Sequence, residues 1–140
     1  MRLVLDTNVV VAGLLWTGTP RRLLDRAIDE TFTLYSSPAL IDELAHTLRY
    51  PKFVQRIGRF DTTPVALVAQ YSALVTLVSP TQVPRVIERD VDDDQVIAAA
   101  VAAQANLIVS GDRKHLLPLG SHAGIAIVDA AEALRLISTE

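Results

Sequence analysis

Four acidic positions stand where acids are costly and chemically useful. Asp6 closes the apolar run Leu3-Val4-Leu5, and Asp112 follows the run Leu107-Ile108-Val109 across Ser110-Gly111. Between them, Glu43 lies inside an amphipathic stretch, and the triplet Asp92-Asp93-Asp94 opens another. A carboxylate at the edge of a core must be compensated by hydrogen-bond donors or by a cation. In an open α/β sheet, ligands bind just beyond the carboxyl ends of the parallel strands. Two acids at two such ends, with two more able to reach them, make the donor set of a divalent-metal site. Oxygen-only ligands select hard cations, Mg²⁺ or Mn²⁺, over zinc.

Each acid also has a structural reading. Asp6 can cap the helix that starts soon after it, while the Asn8 amide can donate to its carboxylate and hold it in place. Glu43 lies three residues after Leu40 and beside Leu44, at the border of an apolar stripe, where it could equally form a solvated pair with Asp42. Within 92–94, one acid suffices to cap a helix. Three adjacent carboxylates repel one another, a strain that a cation would relieve. Helix phase does not choose among them, because Asp93 aligns with Val96 and Ile97, and Asp94 with Ile97, Ala98 and Val101. Asp112 could be a turn residue after Gly111. His46, His115 and His122 are isolated and read as surface residues, with His115 near enough to Asp112 to remain a peripheral candidate. No His spacing supports zinc.

The elements that must position these acids are legible as alternating strands and helices. Leu3 to Leu5, Phe32 to Tyr35, Val75 to Val78, Leu107 to Val109 and Ile125 to Val128 read as strands. Val9 to Trp16 is an apolar helix, and Pro20 suits the first turn of a second one carried by Leu23, Leu24, Ala27 and Ile28. Ser37-Pro38 opens a third helix with Leu40, Ile41, Leu44, Ala45 and Leu48 in phase, which Pro51 interrupts. Phe53 to Ile57 and Pro64 to Ala73 read as two more. Ser79 to Arg89, with Pro80 and Pro84, reads as a loop. An alanine-rich helix starts at Asp92, Asp93 or Asp94 and runs through Ala105, and Ala130 to Ile137 closes the chain. Such alternation implies right-handed crossovers and a parallel sheet covered on both faces.

The bulk composition supports one α/β domain over the 140 residues. Half the residues are hydrophobic, enough for a substantial core, and with aromatics at 5% that core must be Val, Leu, Ile and Ala. The chain has no cysteine, which excludes a disulfide framework and thiolate metal sites. No apolar run approaches the ~18 residues of a membrane span. Met1-Arg2-Leu3 enters a strand directly and leaves no room for a signal peptide, so a cytoplasmic protein is expected. A net charge of -3 argues against a generic basic nucleic-acid binder. It does not exclude an enzyme that meets phosphates through a bound metal, because the ion carries the positive charge.

The motifs around the acids resemble those of the PIN-domain ribonucleases. Val4-Leu5-Asp6-Thr7-Asn8-Val9 is similar to their opening motif, and Leu40-Ile41-Asp42-Glu43-Leu44 to their second, a Glu-Leu pair on a helix. Asp94-Gln95-Val96-Ile97-Ala98-Ala99-Ala100 resembles the third, and Val109-Ser110-Gly111-Asp112 the fourth. Each motif is weak alone; four in order are specific. The Asp-Asp-Asp run and Ser110-Gly111-Asp112-Arg113-Lys114-His115 are similar to a bacterial branch of toxin components related to VapC-like toxins.

The resemblance implies a three-layer α/β/α PIN-like domain over residues 1–140, with strand order 3-2-1-4-5. It implies a catalytic, metal-binding quartet of Asp6, Glu43, Asp94 and Asp112, choosing Asp94 where phase could not. Asp93 is an additional metal candidate, and Asn8 and Ser110 are supporting residues. The activity implied is Mg²⁺- or Mn²⁺-dependent endoribonucleolytic cleavage by metal-activated water, leaving a 5′-phosphate and a 3′-hydroxyl. RNA is then the substrate, a cognate antitoxin protein a partner, and a homodimer an option.

Substrate contacts have weaker signals. Arg49, Lys52, Arg56 and Arg59 form a basic stretch without an intervening acid, and 52, 56 and 59 would share a helix face as a solvated or phosphate-tracking surface. Arg113 and Lys114 adjoin Asp112 and are candidates for the RNA backbone. Trp16 and Tyr50 read as packing residues rather than base-stacking platforms, with Trp16 also a candidate for a dimer or antitoxin interface. Two rivals remain. A receiver-like signalling domain shares the α/β rhythm, but lacks here the acid pair after the first strand, the Asp after the third and the Lys after the fifth. An inactive PIN-like module would keep the acids and only bind protein or RNA.

Overall fold

In the computed structural model, which describes residues 1–29, 31–83 and 91–138, the sheet is built outward from two short buried strands. These are β1 (Arg2–Leu5) and, later in the chain, β4 (Leu107–Val109). Between them lie α1 (Thr7–Leu15), α2 (Thr19–Ile28), β2 (Thr33–Ser36), α3 (Pro38–Thr47), α4 (Pro51–Ile57), a 3-10 turn (Gly58–Phe60), α5 (Pro64–Leu74), β3 (Thr76–Leu77) and α6 (Val91–Ala103). After β4 come α7 (Leu116–Leu119), β5 (Ser121–His122), β6 (Ile125–Val128) and α8 (Ala130–Ser138).

Period-two alternation splits the strand residues between two cores. Leu3, Leu5, Leu34, Leu107 and Val109 pack with Val9, Val10, Leu23, Ala133 and Ile137, contributed by α1, α2 and α8. Val4, Ile108 and Ile127 point the other way and pack with Val96, Ile97, Ala99, Ala100 and Leu116 from α6 and α7. Continuous apolar strands are what a parallel sheet covered on both faces requires. The small alanines of α6 let that helix lie close to the sheet, and Ala98, Ala99, Ala100 and Ala103 are all buried.

Among the described residues, six strands run in the order β3-β2-β1-β4-β6-β5. Pairing from β3 to β6 is parallel, with Leu5 opposite Val109 in the β1–β4 ladder. The expected order 3-2-1-4-5 is this same parallel set, with Ile125–Val128 as its last strand. One addition departs from it: Ser121–His122 pairs antiparallel with β6 at the edge. A two-residue turn makes this hairpin, with Ala123 at φ 50° and Gly124 at φ 80°. Positive φ at both central residues matches the twist of a hairpin.

Prolines act here as helix starters. Pro38, Pro51 and Pro64 each occupy the first turn, where the missing N–H has no partner to lose. Pro51 therefore opens α4 at the break after α3, and α4 begins two residues before the expected Phe53. The expected loop Ser79–Arg89 is seen as far as Val83; residues 84–89 lie outside the described residues. So does the side chain of Asp92, and with it any capping role for that residue.

Tyr71 in α5 is a test of burial against bonding. Its ring belongs to the larger core, while its hydroxyl is buried with no hydrogen-bond partner among the described residues. That burial pushes the phenol pKa upward. A buried hydroxyl without a partner carries its full desolvation cost. Tyr71→Phe is expected to leave stability unchanged or raise it by about 1 kcal/mol, read from denaturant midpoints; a loss of that size would show that the hydroxyl is bonded.

Candidate metal centre

The sheet order places the site. The chain leaves β1 toward β2 on one side and returns to place β4 on the other, so a crevice opens beyond the carboxyl ends of β1 and β4. Asp6 and Ser110 are the residues immediately after these strands, held side by side by the Asp6 N–H donating to the Val109 carbonyl at 2.9 Å.

Asp6 is both helix cap and cleft residue. It is the N-cap of α1, and its Oδ1 accepts from the Thr7 N–H at 2.8 Å. Its Oδ2 accepts from the Ser110 hydroxyl at 2.8 Å, and the Ser110 Oγ accepts in turn from the Asp112 N–H at 3.0 Å. One wholly buried hydroxyl thus ties the ends of two strands to the loop that carries Asp112.

Asp112 organises that loop. Its carboxylate accepts from the N–H groups of Lys114 (3.0 Å), His115 (3.3 Å) and Leu116 (3.4 Å). Partial burial pushes the Asp112 carboxyl up, but the Lys114 N–H, a hydrogen bond from the Asp93 carboxyl, and the His115 and Leu116 N–H groups outweigh it. The net effect holds Asp112 below the ordinary carboxylate value.

Glu43 arrives from α3. Ser37 caps that helix directly after β2, its Oγ accepting from the Leu40 N–H at 3.3 Å. Leu40 and Leu44 are buried, and the half-buried Glu43 projects beside them in the second turn.

These side chains meet in one cleft of about 260 Å³ lined by Asp6, Asn8, Glu43, Asp93, Asp112, Lys114 and His115. Asp6, Glu43 and Asp112 of the expected quartet are therefore together, with Asn8 exposed among them. The α6 acids divide: Asp93, 6% exposed, lines the cleft, whereas Asp94 is wholly buried and is not one of the lining residues.

His115 is the residue that sequence reasoning undervalued. It is not isolated: its Nδ1 lies 3.5 Å from Asp93 Oδ2 and 3.6 Å from Asp112 Oδ2. The available signal was its spacing three residues after Asp112.

The donor set fits a divalent cation. Donor atoms of Asp93, Asp112 and His115 lie within 4.8 Å of one another, and the carboxylates of Asp6 and Glu43 border the same cleft. A larger groove of about 780 Å³ runs past Trp16, Arg56, Phe60 and Gln70. Its acid, Asp25, is paired with Arg21 at 3.5 Å, so the clustered carboxylates, not the size of the groove, locate the chemistry.

Of the basic candidates, Lys114 lines the acidic cleft, and Arg113 beside it is exposed. Lys52 lies over the Phe53 ring, 4.9 Å from its centre. Arg56 is built into the fold: its Nε donates to the Leu15 carbonyl at 2.7 Å and its guanidinium sits 4.4 Å from the Trp16 ring centre and 5.3 Å from that of Phe60. The shared helix face expected for 52, 56 and 59 is reduced to Lys52 and Arg56. The α-helix ends at Ile57, and Arg59, like Arg49, stands exposed outside it. Trp16 and Tyr50 both pack against Phe53, edge-on at 6.1 Å and stacked at 6.4 Å, while each stays about two-fifths exposed.

Comparison with known proteins agrees with this geometry. The PIN domain model matches residues 2–114, a span that holds all of these acids, and the chain belongs to the PIN domain family. An uncharacterized protein of Methanocaldococcus jannaschii is 27% identical over 114 residues, spanning 81% of this chain and 72% of its own. A crystal structure of a protein from Pyrobaculum aerophilum superposes with a TM-score of 0.61 over 99% of this chain and 90% of its own, at 15% identity, which is a likeness of fold. PIN domains are generally nucleases and usually bind a divalent metal. Family membership removes the receiver-like alternative. Among the described residues, no helix is long and apolar enough to cross a membrane.

Proposed function

We propose that this chain is a Mg²⁺- or Mn²⁺-dependent endoribonuclease, the cytoplasmic toxin of a type II toxin–antitoxin pair held by a cognate antitoxin. The observation that carries the nuclease reading is the convergence of Asp6, Glu43, Asp93 and Asp112 in one cleft at the switch point of the sheet. The toxin role rests on the resemblance of the Asp-Asp-Asp and Ser-Gly-Asp-Arg-Lys-His segments to VapC-like proteins.

In this reading Asp6, Glu43, Asp94 and Asp112 hold the metal, and Asp93 adds a carboxylate on the solvent side of the same helix start. A divalent ion there supplies Lewis-acid activation of water and of the scissile phosphate. The protein residues do the rest. Ser110 orients Asp6 and the Asp112 loop through its two hydrogen bonds. Lys114, on the cleft rim beside Arg113, offers a cation to the incoming phosphate. The acidic wall repels RNA until the cation is bound, so substrate affinity follows metal occupancy.

The test is cleavage of single-stranded RNA by the purified chain. Activity is expected with Mg²⁺ or Mn²⁺ and is expected to vanish with excess chelator, returning when the ion is restored. Undiminished cleavage in chelator would refute the metal mechanism. RNA binding without cleavage at any metal concentration would instead support the inactive module.

A further inference from the structure

We propose that His115 is a nitrogen ligand of this metal centre, and that it makes the site prefer Mn²⁺ to Mg²⁺. The proposal rests on the metal-centre reading above and specifies which ion that centre is built for.

The backbone delivers the imidazole to a fixed place. The Asp112 carboxylate accepts the N–H groups of Lys114, His115 and Leu116, which locks the turn from which the ring projects. Leu116, the next residue, is wholly buried in the core against α6 and β4. The ring is half-buried and contributes to the cleft wall.

Distances favour a shared cation over a simple ion pair. Nδ1 lies almost equally far from Asp93 Oδ2 and Asp112 Oδ2, at 3.5 and 3.6 Å. A charge-assisted N–H···O bond would be about 2.7–2.9 Å. Neighbouring ligands of an octahedral ion at ~2.1 Å are about 3 Å apart. The imidazole Nδ1 thus stands within about 0.6 Å of that spacing from each carboxylate oxygen, and donor atoms of all three residues lie within 4.8 Å of one another.

Donor chemistry then sets the preference. Every other metal-ligating group in the cleft is an oxygen donor, a set that serves Mg²⁺ and Mn²⁺ alike. Mg²⁺ keeps oxygen ligands and water, whereas imidazole suits the transition ions. One nitrogen in an otherwise carboxylate site tilts it toward Mn²⁺.

The experiment uses the purified full chain and Mn²⁺ alone. Pulsed electron paramagnetic resonance of the Mn²⁺-loaded protein is expected to show ¹⁴N coupling of imidazole strength, which converts to ¹⁵N coupling when only histidine is labelled. The coupling is expected to disappear in His115→Ala and to persist when His46 or His122 is replaced. Calorimetric titration should show Mn²⁺ affinity falling about 10- to 100-fold in His115→Ala, with Mg²⁺ affinity changing less than about twofold. Tight Mn²⁺ binding to the wild type without nitrogen coupling overturns the His115 assignment and leaves an all-oxygen metal centre standing. Absence of Mn²⁺ binding to the wild type overturns the metal centre itself. Because the spectrum of the wild type decides between these results, the test does not depend on how well a variant folds.

Discussion

Asp6→Asn is expected to remove Mg²⁺- or Mn²⁺-dependent RNA cleavage, with a loss of at least about 10²–10³-fold, the scale of deleting one charge-stabilising group, while the fold persists. Separation of these two effects is what makes the variant informative. An asparagine keeps a carbonyl oxygen for the Thr7 N–H, so the cap of α1 survives. Its NH₂ group replaces the oxygen that accepts from Ser110. The Ser110 oxygen can accept from that amide as well as from the Asp112 N–H, but its own O–H then loses the acceptor it had in Asp6. Stability should therefore fall by about 1–3 kcal/mol, the cost of one buried donor left without a partner. Asn also cannot replace the negative charge that faces the cleft with Glu43 and Asp112. Cleavage assays beside thermal melts of the same preparation check this. Full activity in a well-folded variant would remove Asp6 from the metal centre.

Much of this arrangement could be read from residue order, because the strands that form the crevice are uninterrupted apolar runs. Leu107–Val109 and Ile125–Val128 have the expected bounds, and their burial on both faces explains why. Asp6 is legible for the same reason, since a polar residue ending a fully buried strand has only the carboxyl edge of the sheet to occupy, and Asp112 follows β4 across only Ser110-Gly111. Ser121–His122 was not legible. It is a polar pair too short for periodicity, formed only because the Ala123-Gly124 turn folds it back on β6. The packing of Arg56 was not legible for a related reason. A basic residue on a helix face looks solvated until tertiary packing places the Leu15 carbonyl and two aromatic rings around it.

The triplet at the start of α6 was illegible at a finer level. Adjacent helical residues differ by about 100° in direction, enough to send Asp93 to the cleft and Asp94 inward. Helix phase cannot tell which of two acids faces a cleft when the helix is packed nearly all round, as the burial of Val96, Ile97, Ala98, Ala99 and Ala100 shows. The motif match points to Asp94, while the carboxylate that lines the cleft beside Asp112 belongs to Asp93.

That division gives a second large expected effect. A cation held by the acids of the cleft binds only the folded state and therefore stabilises it. At a concentration ~100 times its dissociation constant, Mn²⁺ should add about 2.7 kcal/mol, a rise in Tm of roughly 10 °C for a chain of this length. Asp94→Asn is expected to cut that rise below about 2 °C and to abolish cleavage. Asp93→Asn should behave differently. It leaves the wholly buried acid in place and removes only the carboxylate at the cleft wall, so the Mn²⁺ response should persist with an affinity lower by about 10- to 100-fold. Thermal melts across an Mn²⁺ series distinguish the two, since a weakened site recovers its full shift at higher metal and an abolished one does not. The reverse pattern, an intact response in Asp94→Asn and none in Asp93→Asn, would transfer the ligand role to Asp93. The quartet would then be the four carboxylates that already line the cleft, with Asp94 left as an interior residue of α6.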